Sequence, residues 1–219
     1  MRKRSLIQFV AVTLIAVVFT VLVKIVDVGF VSSTGSLVGF SSVNIPFSQK
    51  FGFNPIFYKV SQVLGYLVFL VIAVFAFIGL YQLVKQKSLM KVDKDLYALA
   101  ITYVFTFALY IFFDKVLVIN LRPIIMAGES IAEPSFPSSH TLLAVSVLGT
   151  AISECGKIRR KSFRVSLVIV LAILMGATVL SRLFSGVHWV TDIVAGILWG
   201  EVMMTLYQLF SALFSKEEK

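Results

Sequence analysis

The chain is a succession of long apolar stretches separated by short basic ones. Residues 6–23, 60–84, 96–113 and 165–181 contain no charged side chain. Each is long enough to cross a ~30 Å hydrocarbon core as a helix rising 1.5 Å per residue. Two further spans are expected at 141–153, which is short, and at 189–215, which is long but contains Asp192 and Glu201. Neither has an internal proline, and lipid tolerates no open backbone. The pattern predicts an all-α polytopic membrane protein, with six transmembrane helices in one bundle and a single domain over 1–219. Arg2, Lys3 and Arg4 precede the first stretch, as in a signal peptide. Its apolar part is too long for one, however, and no small-residue cleavage site follows Val23, so it is expected to remain as the first span. Residues 29–57, rich in Ser, Gly and Phe, form an outer loop. Its Phe40, Phe47, Phe51, Phe53 and Phe57 are expected either to lie at the lipid interface or to pack on top of the bundle.

Composition agrees with this pattern and removes the alternatives. Hydrophobic residues make up 58% and charged residues 14%, against roughly a quarter charged in an ordinary soluble domain. Mean hydropathy is +0.95, which excludes a water-soluble globule, a coiled coil and a disordered chain. The net charge of +9 would suggest nucleic acid in a soluble protein. In a membrane protein the placement of the charges matters more, and no nucleic-acid partner is expected. With six spans, one face receives Arg2, Lys3, Arg4, Lys85, Lys87, Lys91, Lys94, Lys157, Arg159, Arg160, Lys161, Arg164, Lys216 and Lys219. By the positive-inside rule that face, with both termini, is cytoplasmic. The single cysteine, Cys155, rules out an internal disulfide and a cysteine-based zinc site. It is expected to be an inert thiol near the cytoplasmic end of the fourth span.

The same alternation carries distant polar residues to the opposite face. Lys115 and Arg122 flank the end of the third span, and Ser138, Ser139 and His140 open the fourth. Arg182 ends the fifth, and His188 and Asp192 begin the sixth. A single arginine near a helix end usually snorkels to the interface, and a single interfacial histidine is usually structural. Here spacing and sidedness agree for the whole set. Three cations gathered at one place call for an anion, and guanidinium forks match phosphate oxygens. Ser138 and Ser139 sit where a helix N-terminus exposes free N–H groups. His188 and Asp192 are four apart and share a helix face, so the carboxylate can accept from the imidazole and leave its other nitrogen free to attack. His140 is suited to protonating a leaving oxygen. Glu129 and Glu133 are expected to be solvated loop residues, and Glu201 to have a packing role or a polar partner within the sixth helix.

These residues fall into three motifs. Lys115-Val-Leu-Val-Ile-Asn-Leu-Arg122-Pro123 fits K-x6-R-P. Pro137-Ser138-Ser139-His140 fits P-S-G-H except at its third position. Ser181-Arg182 through His188 to Asp192 fits S-R-x5-H-x3-D. Together, over 115–123, 137–140 and 181–192, they resemble the tripartite signature of the type 2 phosphatidic acid phosphatase (PAP2) superfamily, and the six-helix layout resembles its bacterial membrane branch. The resemblance implies that Lys115, Arg122 and Arg182 hold the phosphate, with Ser138 and the backbone around Ser139 completing the cradle. It also implies that His188 is the nucleophile that becomes phosphorylated, that Asp192 orients it, and that His140 is the general acid. No metal and no cofactor are implied. Ser139 departs from the usual glycine, which narrows the pocket or adds a donor.

The expected function is a metal-independent phosphatase in the plasma membrane of a bacterial cell, its site on the extracytoplasmic side. Its substrate would be a lipid phosphate such as phosphatidylglycerol phosphate, phosphatidic acid or undecaprenyl pyrophosphate. Its partners are that lipid and the bilayer, and the oligomeric state is left open. A phosphotransferase of the same fold is the near alternative. A transporter is the distant one, and would place its ionisable residues at the midplane in matching broken helices.

Overall fold

The computed structural model describes residues 2–215, so the basic residues Lys216 and Lys219 lie outside the described residues. In chain order the elements are α1 (Arg2–Ile25), a hairpin of β1 (Gly29–Val31) and β2 (Ser36–Val38), α2 (Ser41–Phe51), α3 (Pro55–Gln86) and α4 (Lys94–Ile111). There follow α5 (Ser139–Leu143), α6 (Gly149–Glu154), α7 (Lys161–Phe184) and α8 (Val190–Phe214). A π-helical turn, Phe112–Val116, prolongs α4, and another, Ala144–Leu148, joins α5 to α6.

Among the described residues, five helices are long and apolar enough to cross a membrane: α1, α3, α4 with its π turn, α7 and α8. All five were expected; α1, α3, α4 and α7 run a few residues beyond their uncharged cores because capping groups and basic residues continue the helix, and α8 starts and ends one residue inside the expected 189–215. Asn54 caps α3, its side chain accepting from the N–H groups of Ile56 and Phe57, and Pro55 occupies the first turn. Asp93 caps α4 in the same way through Asp95 N–H. Such caps are worth about 1 kcal/mol each.

The remaining expected span, 141–153, differs from the others. It is helical from 139 to 154 but runs through three short segments, and its residues 144–151 are all buried. Small residues make its place. A Cβ added to Gly200 would lie 2.5 Å from Val145 Cβ, and one added to Gly196 would lie 2.8 Å from Thr141 Cβ. The segment therefore lies directly against α8, where an ordinary side chain would hold it off. Because protein surrounds it, Thr141, Ser146 and Thr150 are tolerated there, each with its hydroxyl hydrogen-bonded. α8 is the hub, with half of its span buried, whereas only 6% of the span of α3 is buried.

The region 29–57 is more ordered than a loop. The hairpin and α2 sit over the end of the bundle where α8 begins. Asp27 anchors α2 by accepting from Ser42 N–H, Ser42 Oγ and Ser41 Oγ, bonds that hold its carboxyl below the usual carboxylate range. Buried Asn44 locks the layer to α8 through Thr191 Oγ1 at 2.9 Å and Thr191 N–H at 3.3 Å. Phe47, Phe51 and Phe57 gather around Phe184 of α7. The rings thus pack on the bundle, and Phe51, Phe53 and Phe57 each also keep an exposed face.

Candidate active site

Five helix ends meet under this layer. They are the start of α3, the π turn after α4, the start of α5, the end of α7 and the start of α8. The loop from α4 to α5 is held in place by its own backbone: Arg122 N–H donates to Glu133 C=O and Ser135 N–H to Asn120 C=O. Trp189 Nε1 adds a bond to Leu121 C=O at 2.6 Å. Between these elements lies a cavity of about 340 Å³, whose walls include Lys115, Arg122, Ser139, His140, Arg182 and His188. Residues from all three motifs, up to 73 positions apart (115 to 188), are thereby brought together.

Arg182 and His188 form the centre. Arg182 Nη2 lies 2.6 Å from His188 Nε2, and Nη1 donates to Ser61 Oγ at 3.2 Å. A guanidinium can only donate, so Nε2 carries a lone pair and the ring proton is on Nδ1. That proton goes to the carbonyl of Ser135, 3.0 Å away. Both ring nitrogens are thus assigned by their partners. Burial, then the positive charges of Arg182 and Arg122, hold the His188 imidazole well below its ordinary pKa of 6.5. It is neutral and able to attack.

Asp192 differs from expectation. Its Oδ2 lies 3.7 Å from His188 Nδ1, beyond a hydrogen bond. Its direct partners are Asn120 Nδ2 at 2.9 Å and Trp189 N–H at 3.0 Å. The i, i+4 spacing brings the carboxylate near the ring, but at the third position of α8 it reaches back to cap the helix start, while the Ser135 carbonyl takes the imidazole proton. Ser138 also differs. It is fully buried behind the cavity wall, with its N–H on Asp192 C=O and its hydroxyl accepting from Thr141. Ser139 is the serine that lines the cavity. As the first residue of α5 it has no positive φ, so a side chain at this position strains nothing.

The other cations meet carboxylates. Lys115, largely exposed at the rim, pairs with Asp114 at 2.8 Å. Arg122 pairs with Glu133 at 2.8 Å, and Glu133 borders the cavity while remaining an exposed loop residue, as expected. Glu129 is exposed, as expected. Glu201 is half-buried well along α8, and Cys155 is buried at the far end of the bundle.

Sequence reasoning missed the contribution of α3. Tyr58 lies under the Arg182 guanidinium, 5.7 Å from ring centroid to Cζ, Ser61 supports Arg182, and Gln62 meets His140. The readable signal was a polar or small residue at 58, 61, 62 and 65, which is one helical face, inside an otherwise apolar run.

A family model described as the PAP2 superfamily matches residues 94–214. The chain belongs to the PAP2 superfamily. The three motifs, the cavity and most of the bundle fall inside the matched region. The fold resembles the crystal structure of a transmembrane PAP2-type phosphatidylglycerolphosphate phosphatase from Bacillus subtilis, with a TM-score of 0.66 at 16% identity, covering 97% of this chain and 98% of that one. No curated protein sequence matches. Family and fold together identify an integral membrane protein with the architecture of a PAP2 phosphatase.

Proposed function

We propose that this PAP2 protein hydrolyses the phosphate monoester or pyrophosphate headgroup of a membrane lipid through a phosphohistidine on His188. The observation that carries the reading is the Arg182–His188–Ser135 chain, which leaves a bare imidazole nitrogen among cations. A phosphate entering the cavity takes over the guanidinium donors of Arg182 and Arg122, displacing His188 Nε2 from one and Glu133 from the other, and Lys115 closes over it from the rim. Nε2 then attacks phosphorus as the bond to the leaving oxygen breaks. His140, an imidazolium beside the bound phosphate, gives a proton to that oxygen, becomes neutral, and then takes a proton from the water that cleaves the P–N bond. Ser138 and Asp192 support this site from behind, Ser138 by fixing the start of α5 and Asp192 by holding the start of α8.

The reaction needs no metal in this reading, because the cavity's carboxylates, Asp114 and Glu133, are committed to Lys115 and Arg122. Phosphatidylglycerol phosphate is favoured as substrate by the likeness to the Bacillus enzyme. Phosphatidic acid and undecaprenyl pyrophosphate present the same chemistry. The helical run 139–154 is taken as the sixth crossing, which places the termini in the cytoplasm and the cavity on the extracytoplasmic side of a bacterial plasma membrane.

The test is release of inorganic phosphate from these three lipids by purified protein in detergent with excess chelator. Release is expected to continue under chelation and to be blocked by vanadate, whose five-coordinate form mimics the transferred phosphoryl group. An enzyme silenced by chelator and restored by magnesium would refute the reading.

A further inference from the structure

We infer that Gln62 of α3 is the positioning residue for His140, setting which nitrogen delivers the proton to the leaving oxygen. The inference rests on the proposed phosphatase reading and extends it to a helix outside all three motifs. Gln62 Oε1 lies 3.3 Å from His140 Nε2. If that oxygen accepts, as a carbonyl must, Nε2 carries the proton. His140 Nδ1 is shut away from solvent and has no hydrogen-bond partner, so Nε2 is the nitrogen that can serve the cavity, where Gln62 and His140 share a wall. At 3.3 Å the bond is long and can be shared with an incoming oxygen.

Gly65, one turn further along α3, completes the seat. A Cβ there would lie 3.0 Å from His140 Cδ2 and 3.2 Å from Nε2, so the ring rests against a helix surface that a side chain would remove. Elsewhere α3 buries little, and Ser61 and Val68 are its only buried residues among those described. Its protein contacts concentrate on the stripe that carries Gln62. An amide suits this position, since Arg122 and Arg182 face the same cavity and a carboxylate would compete with phosphate for them.

In the proposed step the N–P bond forms at His188, the P–O bond to the lipid breaks, and the Nε2 proton of His140, which is an imidazolium beside the bound phosphate, passes to the departing oxygen and leaves the neutral ring. A departing alkoxide needs that proton far more than a departing phosphate does. The test therefore compares two lipids with the same tails, phosphatidic acid and diacylglycerol pyrophosphate, using full-length protein in detergent. Gln62→Ala is expected to lower kcat on phosphatidic acid by about tenfold or more, with KM within about twofold and kcat on the pyrophosphate within about threefold. Gln62→Glu, which keeps an acceptor in place, is expected to recover most of the kcat on phosphatidic acid with a raised KM. Gly65→Ala should reproduce the selective loss.

Equal losses on both lipids, no loss on phosphatidic acid, or no recovery in Gln62→Glu would overturn the inference. So would a wild type that cleaves only the pyrophosphate. If the pyrophosphate is not cleaved, recovery by Gln62→Glu on phosphatidic acid decides. Phosphate release from neither lipid by the wild type would instead remove the proposed function itself.

Discussion

Arg182 is 2% exposed and gives one terminal nitrogen to Ser61 and the other to His188, so a single guanidinium fixes the tautomer of the proposed nucleophile. His188→Ala is expected to reduce phosphate release by on the order of 10⁶-fold, to background, with the detergent-purified bundle unchanged by circular dichroism. Asp192→Asn should be milder, roughly 10- to 100-fold in kcat, because the Ser135 carbonyl continues to hold the Nδ1 proton. A loss equal to that of His188→Ala would mean that the 3.7 Å gap closes during turnover. The pH profile follows from the same surroundings. The proposed attack needs neutral His188, and burial together with Arg182 and Arg122 lowers its pKa, so the neutral form persists into acid. The acid limb of kcat/KM is expected well below 6.5, and a limb at or above that value would contradict the assigned environment. Most of these residues were legible as spacing: Lys115 to Arg122, Arg182 to His188 and His188 to Asp192. Ser61 and Gln62 were not, because two polar residues within a long apolar helix do not change the hydropathy by which spans are found, and Asn120, in the loop after the π turn, occupies an unspecified position of K-x6-R-P.

At the scale of elements, the helical run 139–154 and α8 depend on each other through glycine. Gly200→Val would drive a branched side chain into Val145, and overpacking of this kind costs about 1–3 kcal/mol. Gly79→Ala makes a control on the side of α3 that faces α4, where the nearest atom to an added Cβ is Leu96 Cδ1, 3.9 Å away. The thermal unfolding midpoint in detergent should fall for the first and stay level or rise for the second. Long apolar stretches announced α1, α3, α4, α7 and α8 because each has a face in lipid. The run at 139–154 was hard to read for the opposite reason: enclosed by protein, it carries small and hydroxylic residues and has no need of length or of uniform hydrophobicity. The cap over 29–57 was unreadable as structure for a third reason. Its helix is set by side-chain bonds from Asp27 and Asn44 to residues that are partners only after folding.

For the molecule as a whole, the two ends have different chemistry. Near the starts of α1, α4 and α7, Lys157 ties Asp95, Asp93 and Glu154 together, and Glu154 also takes the Tyr207 hydroxyl. Burial opposes charge on Lys157, but the carboxylates prevail and raise its pKa. The proposed orientation is tested with single cysteines at Ser130 and Met90 in a Cys155→Ser background, both positions being exposed. An impermeant thiol reagent on intact cells should label position 130 and spare position 90, and the reverse pattern would put the cavity in the cytoplasm. A last consequence belongs to α3. Its 32 residues span about 48 Å at 1.5 Å per residue, well beyond a ~30 Å hydrocarbon core, so it must tilt or protrude, and the choice varies with bilayer thickness. The helix that seats His140 has only 6% of its span buried by protein, against 50% for α8, so its setting depends mainly on the acyl chains around it. Turnover in vesicles of graded chain length should therefore pass through an optimum, an outcome that would make the surrounding lipid a mechanical part of the catalyst.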